Sequence, residues 1–435
     1  MKSLLLVIIP FSLFGQNFTA AEISHWQQQA RHVNIIRDQW GIPHIYGMTD
    51  ADAVFGLLYA QCEDDFPRVE LNYIEKLGRM AELQGVAALP GDLLNRLLID
   101  SADAISDYQR APRWLRRLCN AFADGINYYI YTHPQQKRLL LSRFEPWYPL
   151  LWTDGSIGAI NTADIRMNEW ASLYLGDETK SYTYYKAPAE VADPGGSNGF
   201  AFSPKITASG NAILYINPHV TFYFRPEVHM VSEEGLNAYG AVTWGQFFIY
   251  QGFNEHCGWM HTSSYADAAD SYIEKLSPNE NGFTYLYEGR QLLVREKSIV
   301  LKYKSAAGIQ KKTVNALYTD HGPIMAQRNG AYLSLRADNR LLNGLIQCWQ
   351  RTKARNFEEY KKTMALFGNI SNNTVYADAD GNIAYWHGNR IPRRDTSYDW
   401  SKPVDGSIAA TQWKGLHSVE ETVHLYNPSN GWLQN

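Results

Sequence analysis

The 435-residue sequence has few cysteines, no large excess of either charge and no low-complexity tract. Its cysteines lie far apart and include no C-x-x-C pair, which argues against a zinc site and a thioredoxin-like motif. They are Cys62, Cys119, Cys257 and Cys348. Disulfides and buried thiols remain equal alternatives for them.

The net charge of -4, with both signs interspersed, gives no footprint for nucleic acid and no basic patch for a membrane surface. Small molecules are therefore the expected partners.

Long apolar runs are also missing, except near the N-terminus. Lys2, the apolar residues 4–14 and the small residues 19–21 follow the order of a secretory signal and its cleavage site. The run is too short to span a bilayer comfortably. We therefore expect residues 1–21 to be a signal peptide and the mature protein to be periplasmic or secreted, with no membrane span; a retained membrane anchor is the alternative.

Helical patterns dominate the first part of the chain, after one leading strand. Residues 33–37 alternate like a strand, and Thr49 or Asp50 can cap the helix that follows. Apolar residues at helical spacing predict further helices through 69–80 and 115–126. We therefore expect residues 22–186 to be mainly helical.

The pattern changes after residue 186. Residues 187–196 have no periodicity and contain two prolines and two glycines, which predicts an exposed linker. From residue 200 onward, short alternating runs separated by turn signals predict strands. Within this region, residues 356–359 have the pattern of a capping box and predict one helix.

Ser197 follows the linker directly, among small, turn-forming residues. Residues 195–199 match G-x-S-x-G, the nucleophile elbow of α/β-hydrolases. That elbow requires a strand before the serine and a helix after it, whereas here a linker precedes Ser197 and a predicted hairpin over residues 200–216 follows it. No S-x-x-K motif surrounds the serine either. The context therefore contradicts the elbow.

A cut between Gly196 and Ser197 would give the serine a base of its own. The freed α-amino group has a pKa of about 8, close enough to neutrality to accept the proton of the same residue's hydroxyl. One residue would then supply both nucleophile and base, and no triad of histidine and acid would be needed. The alternative is that Ser197 is a turn residue without chemical function.

Short sequence blocks spread along the chain are also informative. They are residues 37–44, 77–85, 196–201 with 207–210 and 217–219, 252–259, 321–323 and 373–378. With these blocks the chain resembles the penicillin acylase family of N-terminal nucleophile hydrolases, which includes penicillin, acyl-homoserine lactone and aculeacin-type acylases. The resemblance covers nearly the whole mature chain, and the blocks occur in the family's order, which makes them specific together although each is weak alone.

The resemblance implies an α+β fold, a four-layer αββα sandwich, made from one precursor that cleaves itself between Gly196 and Ser197. An α-chain from 22–186 and a β-chain from 197–435 would form a heterodimer once the linker is cut. The β-chain is expected to lack a C-terminal part that relatives possess. The implied reaction is hydrolysis of a small acyl amide through an acyl-serine intermediate. A non-catalytic, unprocessed family member that acts as an exported binding or scaffold protein is the alternative function.

The resemblance also implies roles for individual residues. The Ser263 backbone N–H and the Asn373 side chain would form the oxyanion hole. His219 would help to hold the nucleophile's amine, and Arg394 matches an arginine near the family's site. In the alternative interpretation, Asn373 caps a turn, His219 is a hydrogen-bonded histidine of the core, and Arg394 is a surface charge.

A calcium site is implied at a D-x-x-D motif. Asp267 and Asp270 match carboxylates that bind a structural calcium in some members, with Glu169 as a third ligand. Solvated capping aspartates are the alternative. Residues 378–382 also look like a calcium loop, but their glycine comes too early, so a hairpin turn is predicted there. No cofactor is expected for catalysis.

The substrate is less well defined, because loops rather than motifs line such pockets. Aromatic residues suggest an apolar acyl pocket, although core packing explains them equally well. They are Trp147, Trp152, Trp170 and Tyr174. Amides of β-lactams, homoserine lactones and lipopeptides all stay open as substrates.

Overall fold

The computed structural model describes residues 18–99, 101–151, 163–176, 196–220, 225–264, 266–280, 282–338, 342–368, 370, 372–388 and 390–435. The apolar run of the predicted signal peptide and residues 187–195 of the predicted linker lie outside them. The helices are α1 (Ala20–Ala30), α2 (Asp50–Lys76), α3 (Ala81–Gln84), α4 (Leu89–Leu98), α5 (Ser101–Arg110), α6 (Arg113–Thr132), α7 (Met167–Leu175), α8 (Leu342–Thr352) and α9 (Phe357–Met364).

The strands outnumber the helices in the second half of the chain, as predicted. They are β1 (Val33–Arg37), β2 (Pro43–Gly47), β3 (Gly196–Phe202), β4 (Ile213–His219), β5 (Glu227–Ser232), β6 (Leu236–Ala241), β7 (Gln251–Asn254), β8 (Cys257–Ser263), β9 (Ala269–Glu274), β10 (Leu276–Asn279), β11 (Gly282–Tyr287), β12 (Arg290–Leu293), β13 (Arg295–Ser305), β14 (Gly308–Thr319), β15 (Gly322–Arg328), β16 (Ala331–Ala337), β17 (Asn372–Asp378), β18 (Ile383–Trp386), β19 (Val404–Asp405), β20 (His424–Tyr426) and β21 (Trp432–Gln434).

Helix α2 contains a kink that joins two predicted helices into one element. Thr49 caps it: the Thr49 hydroxyl accepts from the Asp52 N–H, and the Asp52 carboxylate accepts from the Thr49 N–H. At Asp65 the backbone leaves the helical region (φ -155°), two residues before Pro67, which cannot donate to the hydrogen-bond ladder. The Asp65 carboxylate then accepts from the Arg68 N–H at 3.0 Å and so caps the second half.

The predicted cap of α9 is correct, but the predicted box is not. The Asn356 side chain accepts from the Glu359 N–H at 2.9 Å, as an N-cap should. The Glu359 carboxylate binds Arg355 instead of the Asn356 N–H, at 2.8 Å from the guanidinium and 3.0 Å from the backbone nitrogen. A nearby cation thus replaces the reciprocal hydrogen bond.

A nine-stranded sheet is the centre of the fold, in the order β1-β2-β5-β6-β7-β8-β17-β18-β20. Its pairs are antiparallel except β2 with β5. Helices α2, α6, α8 and α9 share the largest apolar core with strands of this sheet. The opposite side of β8, β17 and β18 packs against a small sheet ordered β21-β3-β4, with six buried residues between them: Ala201, Met260, Val375, Ala377, Ile383 and Leu433.

A second sheet, β13-β14-β15-β16-β9-β19, packs against α4 and α7 around its own apolar core. The chain is therefore α+β, as predicted. Helices cover one face of the nine-stranded sheet, and the β21-β3-β4 sheet packs against the other face. In the described part of the chain, the outer face of the β21-β3-β4 sheet leaves Ile213, Tyr215 and Trp432 40–51% exposed.

The four cysteines are buried and form no disulfide, which settles the alternative that sequence left open. Burial raises the pKa of the Cys62 and Cys119 thiols well above the usual value, and that of Cys257 to about 12.

Among the helices just described, none is both long and apolar enough to cross a membrane.

Candidate active site

Ser197 lies at the start of β3, because the hairpin predicted to follow it over residues 200–216 begins already at Gly196 and includes the serine. It is paired with Pro218 of β4, and β3 continues as a strand through Phe202, so no helix follows the serine. Since alternate residues of a strand share a face, Ser197 lies on the same side of β3 as the buried Gly199 and Ala201, toward the nine-stranded sheet. The nucleophile elbow is thereby excluded.

The hydroxyl of Ser197 contacts the peptide bond that precedes it. Its Oγ donates a hydrogen bond to the Gly196 carbonyl oxygen, 2.5 Å away. Ser197 is only half-buried. The geometry therefore places a partly accessible hydroxyl against the one carbonyl group that a cut at this position would have to attack.

Gly199 sets the spacing between the two sheets beneath the nucleophile. A Cβ at this position would lie 2.4 Å from Met260 Sδ and 2.9 Å from Val375 Cγ2, closer than real Cβ contacts. Both neighbours are fully buried. Only glycine lets β3 approach β8 and β17 this closely without displacing a packed side chain.

His219 lies beside the predicted cleavage junction. It is paired with Gly196 across the hairpin, and its Nδ1 is 3.6 Å from the position of a Cβ built on Gly196. Its Nε2 is 3.2 Å from the amide nitrogen of Asn217. Asn217 orients the ring, and no carboxylate contacts it among the described residues, so His219 lacks the environment of a triad base. Its role in holding the nucleophile's amine stays a prediction.

The two predicted oxyanion-hole residues are brought together by the pairing of β8 with β17. Asn373 pairs with Thr262, one residue from Ser263. The Asn373 amide nitrogen donates to the Thr262 hydroxyl at 3.1 Å and to the Ser263 carbonyl at 3.2 Å. Asn373 is buried, and its Oδ1 has no hydrogen-bond partner in the described structure. The amide donor is thus fixed next to Ser263, at the end of the sheet toward which β3 carries Ser197.

Thr262 and Asn435, which the sequence did not single out, also contact the residues of this site. The backbone of Asn435 exchanges two hydrogen bonds of 2.9 Å with Gly199, beyond the last residue of β21. The Asn435 side chain accepts from the Thr262 hydroxyl. These contacts join the nucleophile's strand to the strand of the predicted oxyanion hole. Neither residue belongs to a motif, so no sequence signal could have identified them.

The predicted calcium ligands bind arginines instead. Asp270 Oδ2 accepts from Arg394 Nε at 2.8 Å, and the Asp267 carbonyl accepts from Arg394 Nη2 at 2.9 Å. The Glu169 carboxylate pairs with both Nε and Nη2 of Arg328. Across the described residues, no group of three or more His, Cys, Asp and Glu side chains could hold a metal ion. The structure does not bring the three ligands together, and calcium stays a prediction of the resemblance.

Arg394 is placed by these same contacts. It is a half-buried cation, held between Asp267 and Asp270 and lying 5.6 Å from the Trp400 ring centroid. Its described hydrogen bonds do not reach Ser197. Arg394 therefore orders the turn that leads from β8 to β9, and a direct role at the nucleophile stays a prediction.

The aromatic residues considered for an acyl pocket belong to two different cores. Trp147 packs against the large core below the nine-stranded sheet, whereas Trp170 and Tyr174 belong to the core of the second sheet. The Trp170 indole donates to the Pro90 carbonyl, and the Tyr174 hydroxyl donates to the Ile324 carbonyl. Trp152 lies outside the described residues. Core packing accounts for the three described side chains.

Comparison with known proteins places these features in context. The "Penicillin amidase" family model matches residues 32–435. The chain is 25% identical to "Penicillin acylase 2 proenzyme" of Pseudomonas sp. strain SE83, over 92% of this chain and 58% of that protein. It is 29% identical to "Penicillin G acylase" of Escherichia coli, over 96% and 61% respectively.

A third relative is "Acyl-homoserine lactone acylase QuiP" of Pseudomonas fluorescens strain Pf-5, 23% identical over 93% of this chain and 55% of that protein. The chain thus spans between half and two thirds of the length of these curated relatives. The family match, in contrast, covers nearly all of the chain and includes the junction, the hairpin and the paired strands of the site. The chain belongs to the penicillin amidase family.

Proposed function

We propose that this protein is an amidohydrolase that becomes active when its own chain is cut between Gly196 and Ser197. The observation that carries the proposal is the position of Ser197 Oγ, 2.5 Å from the carbonyl oxygen of the preceding residue and on a strand that continues after it. Membership of the family supports the same reaction class.

The proposed cut begins with attack of Ser197 Oγ on the Gly196 carbonyl carbon. The hydroxyl proton passes to the departing Ser197 nitrogen as the peptide C–N bond breaks, and an ester between Gly196 and Ser197 Oγ remains. Water then hydrolyses this ester and leaves a carboxylate on Gly196 and a free amine on Ser197. An α chain and a β chain, held as a heterodimer, result from the single precursor.

The free amine then serves as the base for substrate hydrolysis. With a pKa of about 8 in an unperturbed chain terminus, it accepts the proton of the Ser197 hydroxyl as Oγ attacks the amide carbonyl of the substrate. The negative charge that develops on the carbonyl oxygen is stabilised by the Ser263 N–H and the Asn373 amide. Each fixed donor of this kind stabilises the transition state by about 3 to 4 kcal/mol in comparable enzymes.

The amine product leaves with the proton that the Ser197 amine held, and the acyl group remains on Oγ as an ester. Water, deprotonated by the same amine, hydrolyses the ester and releases the carboxylic acid. His219 and Asn217 lie beside the amine's position and help to fix it. Small acyl amides, as the names of the relatives indicate, are the proposed substrates. The order of residues 2–21 supports export to the periplasm or beyond.

The test is a matched pair of serine substitutions in the same hairpin. Ser197→Ala should abolish both the appearance of two chains on denaturing electrophoresis and amide hydrolysis, because both steps use Oγ. Ser209→Ala, in the exposed turn between β3 and β4, should process normally. Processing that persists in Ser197→Ala would disprove the assignment of the nucleophile.

A further inference from the structure

A pair of histidines lies on the face of the nine-stranded sheet that points away from the helices. His44 of β2 and His229 of β5 are partners across the parallel pair of strands in this sheet. Their chain neighbours Ile45 and Met230 are fully buried in the large core, so the two imidazoles lie on the opposite face. Both histidines are half-buried, and 27% of the His44 side chain is exposed. A small solute can therefore reach the pair from the solvent.

The two rings face each other through the same atom. His44 Nδ1 and His229 Nδ1 are 3.0 Å apart, and the ring planes are nearly perpendicular, at 86°. An ion bonded to two imidazole nitrogens at about 2.0 to 2.1 Å, with about 90 to 110° between the bonds, holds those nitrogens about 2.9 to 3.4 Å apart. The observed separation lies in this range. A hydrogen bond between the rings has the same length, so the surroundings of the other two ring nitrogens are also needed.

Each ring has an oxygen acceptor near its second nitrogen. His229 Nε2 is 2.8 Å from Asn237 Oδ1, which can only accept, so the proton of the neutral His229 ring is on Nε2 and Nδ1 has a free lone pair. His44 Nε2 faces Asp38 Oδ2 at 3.7 Å, and Oδ1 of that carboxylate is fixed by two backbone N–H groups. Metal-binding histidines are typically oriented in this way, by a carboxylate or carbonyl oxygen at the ring nitrogen that does not bind the ion.

We propose that His44 and His229 bind one divalent late first-row transition-metal ion through their Nδ1 atoms. Imidazole nitrogens favour Cu²⁺, Ni²⁺ and Zn²⁺, whereas Mg²⁺ and Ca²⁺ prefer oxygen ligands. The described residues contain no group of three His, Cys, Asp or Glu side chains that could hold an ion, so water occupies the remaining coordination positions. When the ion binds, the proton on His44 Nδ1 moves to Nε2, where it faces Asp38, or leaves to the solvent if Nε2 already carries one.

The site joins two parts of the chain that the proposed cut would separate. His44 precedes Gly196 in the chain and His229 follows Ser197, and their strands pair directly. In the processed protein the ion would therefore connect the α chain to the β chain. This consequence rests on the proposed function, whereas metal binding by the two histidines does not.

Isothermal titration of the tag-free protein with ZnCl₂ tests the site. His44→Gln and His229→Gln should each weaken Zn²⁺ binding at least about tenfold, because each removes one of the two protein ligands. Asn237→Leu keeps both ligands but removes the oxygen that orients His229, and should weaken binding by about 10- to 100-fold. The control His256→Gln removes an exposed histidine and should leave the affinity unchanged. Equal affinity in the wild type and in folded His44→Gln and His229→Gln would overturn the proposal.

Cu²⁺ provides a second measurement that needs no variant. The electron paramagnetic resonance spectrum of the wild-type protein with one equivalent of Cu²⁺ should show coupling to two imidazole nitrogens, since Cu²⁺ is the ion of this series that nitrogen ligands bind most tightly. A spectrum without imidazole coupling contradicts the site even where the histidine variants do not fold.

Separation of the chains in urea tests the connection between them. Zn²⁺ should raise the urea midpoint of the processed wild type and should have no such effect on His44→Gln, because an ion that binds only the assembled protein stabilises it. An unchanged midpoint in a protein that binds Zn²⁺ contradicts the connection. A wild-type chain that stays intact but binds Zn²⁺ through both histidines overturns the proposed cut and supports the metal site. A cut protein without histidine-dependent Zn²⁺ binding overturns the metal site and leaves the proposed function standing.

Discussion

Replacing Gly199 by alanine should impair both stability and self-cleavage. The added Cβ would lie 2.4 Å from Met260 Sδ and 2.9 Å from Val375 Cγ2, whereas carbon atoms in contact prefer about 3.5 to 4.0 Å. Because Met260 and Val375 are fully buried, relief requires β3 to move outward by roughly 1 Å. Overpacking of this kind costs about 1 to 3 kcal/mol. The same movement shifts Ser197, two residues away on the same face.

The assays are urea unfolding and the time course of chain cleavage on denaturing gels. Gly91→Ala is the matched control, since a Cβ at Gly91 in α4 meets no atom within 4 Å and alanine favours the helix by about 0.5 to 1 kcal/mol. Met260→Ala opens space beneath β3, so the double variant should recover at least about 1 kcal/mol relative to additivity. A Gly199→Ala protein with native stability and native processing would refute the spacing argument.

Three further predictions concern the oxyanion hole, a buried acid and the thiols. Asn373→Ala should lower kcat of the processed protein by about 100- to 1,000-fold with a smaller change in KM, measured by steady-state kinetics. Burial raises the pKa of Asp92 to about 7, although its carboxylate accepts hydrogen bonds from the Met80 and Ala81 N–H groups. Because the folded-state pKa of Asp92 lies above its unfolded-state value, the protonated carboxyl contributes stability that is fully present below about pH 4. That contribution is lost as the pH rises through about 7. Between pH 5 and pH 8 the wild type should lose about 2 to 3 kcal/mol that Asp92→Asn does not lose, as urea unfolding at the two pH values would show; parallel losses in the two proteins would argue against it. A thiol reagent should modify none of the cysteines in the native protein and all four after denaturation, because each is buried and unpaired by disulfide.

Local patterns predicted the elements that depend on neighbours in sequence. The hairpin after Ser197 follows from alternation interrupted by a turn, and the Thr49 and Asn356 caps follow from their side-chain chemistry. The Asp378 turn was also predictable, and its carboxylate indeed accepts from the Asn382 N–H.

Features that depend on distant partners could not be predicted. A D-x-x-D motif has the same sequence whether a metal or Arg394 neutralises it, and Arg394 lies far along the chain. Gly199 is required by Met260 and Val375, which only the packing of two sheets brings beneath it.

Sequencing the N-termini of the purified, folded protein distinguishes a cleaved chain from an intact one. We predict a chain that begins Ser-Asn-Gly-Phe at Ser197, alongside a second chain from the region before Gly196, because the Ser197 hydroxyl lies against the Gly196 carbonyl. A folded protein that remains one intact chain across Gly196–Ser197 and still hydrolyses amides would contradict it.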